Sequence, residues 1–210
     1  MIKIIPAVLP KSWGQLTDDL NKLVGVATMV QLDVVKNIFD GHESPPLWEE
    51  FDFEFDIYLE PGEFVERALE LGASRIVVHT RHATARAALE LLQPQRGGEF
   101  AMAVGVALRP TDTPDVLIPY AGLYDFVQVM GIDHEGNQGE PFDSAAISLV
   151  RALRTAQPEL FIQVDGHAAG HEQELAAAGV NSLVVGSAIL TAEDPKAAYR
   201  TLYNKANGSH

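Results

Sequence analysis

The chain of 210 residues is 47% apolar, enough for one sizeable core or at most two small ones. Its formal net charge of −14 argues against sequence-independent nucleic-acid binding, which needs Lys and Arg on phosphates, and obliges any phosphorylated ligand to be held locally by backbone N–H groups. The absence of cysteine excludes disulfides, thiolate metal sites and cysteine nucleophiles, and no apolar run approaches the roughly 20 residues of a membrane helix.

In chain order, short β-rich apolar runs alternate with segments of helical period. MIKIIPAVLPKSW has neither the charge pattern nor the cleavage site of a signal peptide, so it reads as a first strand and a cytoplasmic location is expected. The runs are KIIPAVL (3–9), TMVQLDVV (28–35), FEFDIYL (53–59), SRIVVH (74–79), FAMAVGVAL (100–108), YDFVQVM (124–130), LFIQVD (160–165) and NSLVVG (181–186). Helices are predicted over 12–24, where Ser12 is a good N-cap, over 61–72, 81–93, 113–122, 143–157 and 170–179, and over 194–206. The gap 35–51 holds two prolines and a weak helical period, and reads as a loop with a short turn of helix. NGSH at 207–210 reads as a frayed tail or an appended remnant. Trp13 and Trp48 read as packing residues.

Strands alternating with helices predict parallel β-structure with right-handed crossovers. Eight units over residues 1–206 predict one compact (β/α)8 TIM barrel. An open doubly wound sheet is the alternative, but no GxGxxG follows the first strand, so no nucleotide cofactor is expected. In a barrel the chemistry sits at the C-terminal ends of the strands. That places Asp33, Asp56, His79 and Asp165 at the mouth, with Gly186 and Ser187 ending strand eight. Loops seven and eight are the usual phosphate cradle of such barrels, with bare glycine backbone allowing close approach. The bland readings are a helix cap for Asp165, a loop-initiating Asp33, a solvated face for Asp52, Glu54 and Asp56, a structural His79, and solvated loop histidines at His42, His134, His167 and His171.

IIPAVL, QLDV followed by DGHESPP, DIYLEP, VGVALRPTDTPD, FVQVMG, QVDG and VVGSAI together resemble, in order, the motifs of the ribulose-phosphate 3-epimerase family. The resemblance implies inversion at C3 of a ketopentose 5-phosphate by two-base proton transfer through an enediolate. It maps the catalytic pair onto Asp33 and Asp165. It places Gly136, Gly166, Gly186, Ser187 and Met130 at the substrate and its phosphate. A phosphorylated sugar is the implied partner, with neither nucleic acid nor membrane. Family members are often oligomers, which leaves a homo-oligomer open.

Departures from the family pattern bear on the metal. The family's strand-two His is Gln31 here, its strand-three His falls on Asp56 or on Phe55, and its first-strand Ser is Ala7. Asp33, Asp56 and Asp165 would then form an all-oxygen site suited to Mg²⁺ or Mn²⁺ before Zn²⁺. The strand-six loop keeps Gly136, Gln138 and Gly139 but adds Asp133 and Glu135, acids that disfavour phosphate. A non-catalytic phosphate-ligand-binding barrel, or another sugar-phosphate enzyme of the same superfamily, is the alternative. DVVKNIFD has the residue types of the decarboxylase DxKxxD motif at the wrong spacing.

Overall fold

The computed structural model describes residues 1–96, 102–133 and 140–208. Among these, eight parallel strands close a barrel in chain order: β1 (Lys3–Val8), β2 (Met29–Val34), β3 (Asp52–Ile57), β4 (Arg75–His79), β5 (Ala103–Leu108), β6 (Phe126–Met130), β7 (Phe161–Asp165) and β8 (Ser182–Val185), with β8 pairing back onto β1. Seven α-helices accompany them: α1 (Trp13–Leu23), α2 (Val65–Glu70), α3 (Ala85–Leu92), α4 (Ala145–Ala156), α5 (Glu172–Ala178), α6 (Ser187–Leu190) and α7 (Pro195–Ala206).

The strands form where β-branched and aromatic residues alternate with period two. In β3 that alternation sends Phe53 and Phe55 outward, where Phe55 packs on Phe39 and Phe64, and sends Glu54 and Asp56 inward. Phe55 is therefore core, and Asp56 takes the strand-three place at the mouth. The large apolar cluster lies between barrel and helices, built from residues such as Leu20, Leu32, Ile76, Leu89, Val150 and Leu183.

Helix ends follow local chemistry. The Ser12 hydroxyl accepts from Gln15 N–H at 3.3 Å, and the Asp194 carboxylate accepts from Ala197 N–H at 2.9 Å. Gly179 closes α5 at φ 100°, a conformation that suits glycine. Two predicted helices are corrected. Residues Pro114–Tyr120 form a 3-10 segment, because Pro114 and Pro119 cannot donate to an α-helical ladder. The 61–72 segment begins as a 3-10 turn, Pro61–Glu63, before α2. The 35–51 gap is a loop, as expected, but the expected short turn of helix is replaced by hydrogen-bonded turns, and Phe39 within it is fully buried. Trp13 packs edge-on against Phe39 and stacks on His42, whereas Trp48 is 60% exposed and is not a packing residue. The expected frayed tail does not begin at Asn207: its side chain accepts from Ile2 N–H at 2.8 Å and donates to Ile2 C=O at 3.0 Å, tying the last helix to the first strand.

Candidate active site

Register brings the mouth residues level. Asp33 of β2 pairs with Asp56 of β3, and Met130 of β6 with Asp165 of β7. One oxygen from each of Asp33, Asp56 and Asp165 lies within 4.8 Å of the others. Three carboxylates could hold a metal ion in this way. The Gln31 side-chain amide lies among them, its Nε2 donating to Asp33 Oδ1 at 3.0 Å, Asp165 Oδ2 at 3.3 Å and Asp56 Oδ2 at 3.4 Å. Tyr58 donates its hydroxyl to Asp165 Oδ2 at 3.1 Å. His79 Nε2 stands 2.7 Å from Asp56 Oδ1, and Gln128 Nε2 donates to Asp56 Oδ2 at 2.7 Å. His79 is thus a partner of the mouth cluster as well as a buried strand-end residue.

The electrostatics follow from crowding acids out of water. Burial pushes the Asp33 carboxyl well above the usual carboxylate range, and the charges of Asp165 and Asp56 push it further. Asp165 is pushed up to about 7 by burial and by Asp56, against bonds from Tyr58, the Gly166 N–H and Gln31 that favour its ionised form. Near neutral pH the two carboxyls therefore do not ionise together as ordinary aspartates do, and their proton losses belong to the pair.

A cavity of about 320 Å³ opens over this cluster. Asp33, Tyr58, Met130 and Asp165 line one part, and Gly166, His167, Gly186 and Ser187 another. Its walls include backbone in close approach. A Cβ at Gly131 would stand 2.0 Å from the Gly166 carbonyl, and one at Gly186 would stand 3.2 Å from the Ala7 carbonyl. Gly166 is held at φ 95° and His167 at φ 52°, so the chain turns sharply after β7. The Gly166 N–H already donates to Asp165 Oδ1 at 2.7 Å. The Gly166 N–H is thus already engaged, and a Cβ at Gly166 would stand 3.1 Å from Ile132 Cγ1.

Of the residues singled out from sequence, Asp33, Asp165, Met130, Gly166, Gly186 and Ser187 share this cavity, whereas Asp56 is fully buried, does not line it and is bonded to Gln31. Gly136, with Gln138, Gly139, His134 and Glu135, lies outside the described residues. His171 does not line the cavity; it stands beside Glu174 and stacks on Phe142. His42 stacks on Trp13 at 3.5 Å between ring centroids.

A polar network beneath the mouth escaped the sequence reading. Gln163 Nε2 lies 2.6 Å from Glu54 Oε1, 2.8 Å from Gln128 Oε1 and 3.3 Å from Gln31 Oε1. Arg75 pairs with Glu54, Nε to Oε2, at 2.8 Å. A signal for it exists. In β2, β3, β6 and β7 a Gln or Glu stands two residues before the mouth residue, as Gln31 before Asp33, Glu54 before Asp56, Gln128 before Met130 and Gln163 before Asp165. Period two puts each such pair on one strand face.

The model of the ribulose-phosphate 3 epimerase family matches residues 3–190. A Schizosaccharomyces pombe ribulose-phosphate 3-epimerase is 30% identical over 154 residues, covering 71% of this chain but just under two thirds, 65%, of that protein. The cytoplasmic isoform of Oryza sativa is 28% identical over 225 residues, covering 99% of this chain and 95% of that one. Among solved structures, 3-hexulose-6-phosphate synthase from Salmonella typhimurium superposes with a TM-score of 0.70 at 17% identity, over 100% of both chains. KGPDC from Streptococcus mutans gives 0.69 at 12% identity, over 99% of this chain and 98% of that one. These two show the barrel fold alone. With the motifs in order along a closed barrel and the family model matching from the first strand to α6, the chain belongs to the ribulose-phosphate 3-epimerase family.

Proposed function

We propose that this protein inverts C3 of a ketopentose 5-phosphate, with Asp33 and Asp165 as the proton carriers. The observation that carries the reading is that the two carboxyls share one cavity, with one oxygen of each within 4.8 Å of the other. Burial raises both above the ordinary aspartate range, the charges of Asp165 and Asp56 adding to it at Asp33 and the charge of Asp56 at Asp165. Inversion needs a base on one face of the carbon and an acid on the other at the same pH. Two ordinary aspartates would both be ionised at neutral pH, whereas the upward shifts of Asp33 and Asp165 favour holding a proton within the pair. One aspartate takes the C3 proton, made acidic by the C2 ketone. The enediolate forms, and the other aspartate returns a proton from the opposite face.

The remaining lining suits a small phosphorylated sugar. A cavity of about 320 Å³ is at the small end of ligand sites. Gly186 and Ser187, at the start of α6, offer bare backbone and the first N–H groups of a helix, which have no intrahelical acceptor. Met130 supplies an apolar floor that keeps water from the reacting carbon. Tyr58 and Gln31 hold the carboxylate oxygens in place.

The three carboxylates stand close enough together for a divalent cation, but the set as a whole does not suit one, because the Gln31 amide N–H group points in among them. By themselves Asp33, Asp56 and Asp165 would hold it through oxygen only, which favours Mg²⁺ or Mn²⁺ over Zn²⁺. The Gln31 amide competes for the same space. No helix among the described residues is long and apolar enough to cross a membrane, and a cytoplasmic place is part of this reading.

Proton NMR of D-ribulose 5-phosphate with the protein in D₂O tests the function. Deuterium at C3 with xylulose 5-phosphate accumulating is the expected result. A folded protein that leaves C3 unexchanged while still binding the sugar phosphate would be a binder, not an epimerase.

A further inference from the structure

The inside of a (β/α)8 barrel is ordinarily filled by branched apolar side chains. Here Gln31, Glu54, Gln128, Gln163 and Ser182 are all fully buried inside it. Buried amides persist only when their donors and acceptors are matched, so the direction in which each amide points is a physical constraint.

That direction can be read from one end. Gln163 Oε1 lies 3.2 Å from Arg75 Nη2 and 3.1 Å from Ser182 Oγ. A guanidinium only donates, so the oxygen end of Gln163 must face Arg75. Its NH₂ end then faces Glu54 Oε1 and the oxygen ends of Gln128 and Gln31, the last at the longest distance, 3.3 Å. With their oxygens turned toward Gln163, Gln128 and Gln31 present NH₂ groups upward, to Asp56 and to the three mouth carboxylates. The guanidinium is itself fixed. It pairs with Glu54 and lies over the Phe126 ring at 3.9 Å.

Resting on the assignment of the mouth as the active site, we propose that the Gln31 amide nitrogen takes the place of a divalent cation among Asp33, Asp56 and Asp165. Arg75 acts through Gln163 as the positioning residue that keeps the N–H end of Gln31 pointing there. A flipped Gln31 would add a fourth oxygen and complete a cation site, and the Arg75-to-Gln163 bond opposes that flip. The amide partly neutralises the acid cluster without a metal and leaves the carboxylates as proton carriers. Turnover is therefore independent of divalent metal.

The test reads binding, so it stands whether or not the sugar phosphate is the substrate. Mn²⁺ is titrated into the whole chain, purified without chelator, and followed by calorimetry and by the electron spin resonance of free Mn²⁺. The wild type is expected to bind no stoichiometric Mn²⁺ and to carry none of any divalent metal as purified. Gln31→Glu removes both N–H groups and adds an oxygen, and gains a site with affinity at least roughly tenfold tighter. Arg75→Met frees Gln163 and Gln31 to flip and raises Mn²⁺ affinity in the same direction. Arg75→Lys, still a donor only, keeps the wild-type behaviour. A merely structural role for Arg75 would lower the melting temperature in both Arg75 variants and leave Mn²⁺ binding unmoved, overturning the relay. Stoichiometric metal in the wild type, or equal Mn²⁺ affinity in wild type and Gln31→Glu, would overturn the proposal outright. Should Arg75→Met fail to fold, the wild-type and Gln31→Glu titrations still decide it.

Discussion

At the scale of single residues, chemistry is set by which groups are refused water. Asp33 and Asp165 would be unremarkable on a surface, but in the mouth burial raises the cost of ionising both, with the charges of Asp165 and Asp56 adding to it at Asp33 and that of Asp56 at Asp165. Replacing either with Asn removes one proton carrier while keeping the volume, and kcat/KM is expected to fall by roughly 10²–10⁴-fold with the melting temperature little changed. Tyr58→Phe is subtler. Its hydroxyl donates to Asp165 and so favours the ionised form. Without it the Asp165 carboxyl moves higher still, and the limb of the pH–rate profile governed by that group shifts to higher pH. A profile unchanged in Tyr58→Phe would mean that Asp165 does not titrate in the reaction.

At the scale of elements, period two decides what reaches the site. FDFEFD in β3 leaves Asp56 and Phe55 as rival candidates on paper. The outward aromatic cluster of Phe39, Phe55 and Phe64 resolves the register, because a one-residue slip would bury Asp56 among rings and turn Phe55 into the mouth. The strands and the acids at their ends were legible in the sequence. The amide layer beneath was legible only as a repeated Gln or Glu two residues before the mouth residue in four strands; which of these side chains meet, and in which orientation, depends on closure of the barrel. The exposure of Trp48 was hidden for a related reason, since it depends on what the neighbouring segments cover, whereas Pro119 inside a helical period was a local signal in plain view. Gly105 of β5 leaves room for Phe126, on which Arg75 stacks. A Cβ there would stand 2.3 Å from Phe126 Cζ. Gly105→Ala is expected to cost about 1–3 kcal/mol by chemical denaturation, through displacement of that ring.

At the scale of the whole molecule, buried acids tie stability to pH. Burial pushes Glu54 from 4.5 up to about 7, against the pull of Arg75 and the Gln163 bond. A carboxyl raised in the folded state adds stability that is fully present below its unfolded value and is lost as pH rises through the folded one. Glu54 and Asp165, raised from 4.5 and 3.8, titrate over overlapping ranges, so the melting temperature is expected to fall as pH rises from about 4 through 7, and Asp33, raised too, acts in the same direction. Glu54→Gln, although less stable overall for want of the partner of Arg75, should show a flatter dependence. A melting temperature rising across that window would contradict the assignment. The net charge of −14 adds self-repulsion in the same direction, which salt should relieve for surface charges but not for the buried ones.

The central claim is that Asp33 and Asp165 serve opposite faces of one carbon. The measurement that tests it most directly is deuterium wash-in at C3 from D₂O, followed by proton NMR, with Asp33→Asn and Asp165→Asn each given ribulose 5-phosphate and xylulose 5-phosphate separately. Each variant is predicted to have lost inversion yet to exchange the proton of one epimer, and the two variants are predicted to favour opposite epimers. Undiminished inversion in either variant, or the same epimer exchanged by both, would contradict the two-base account.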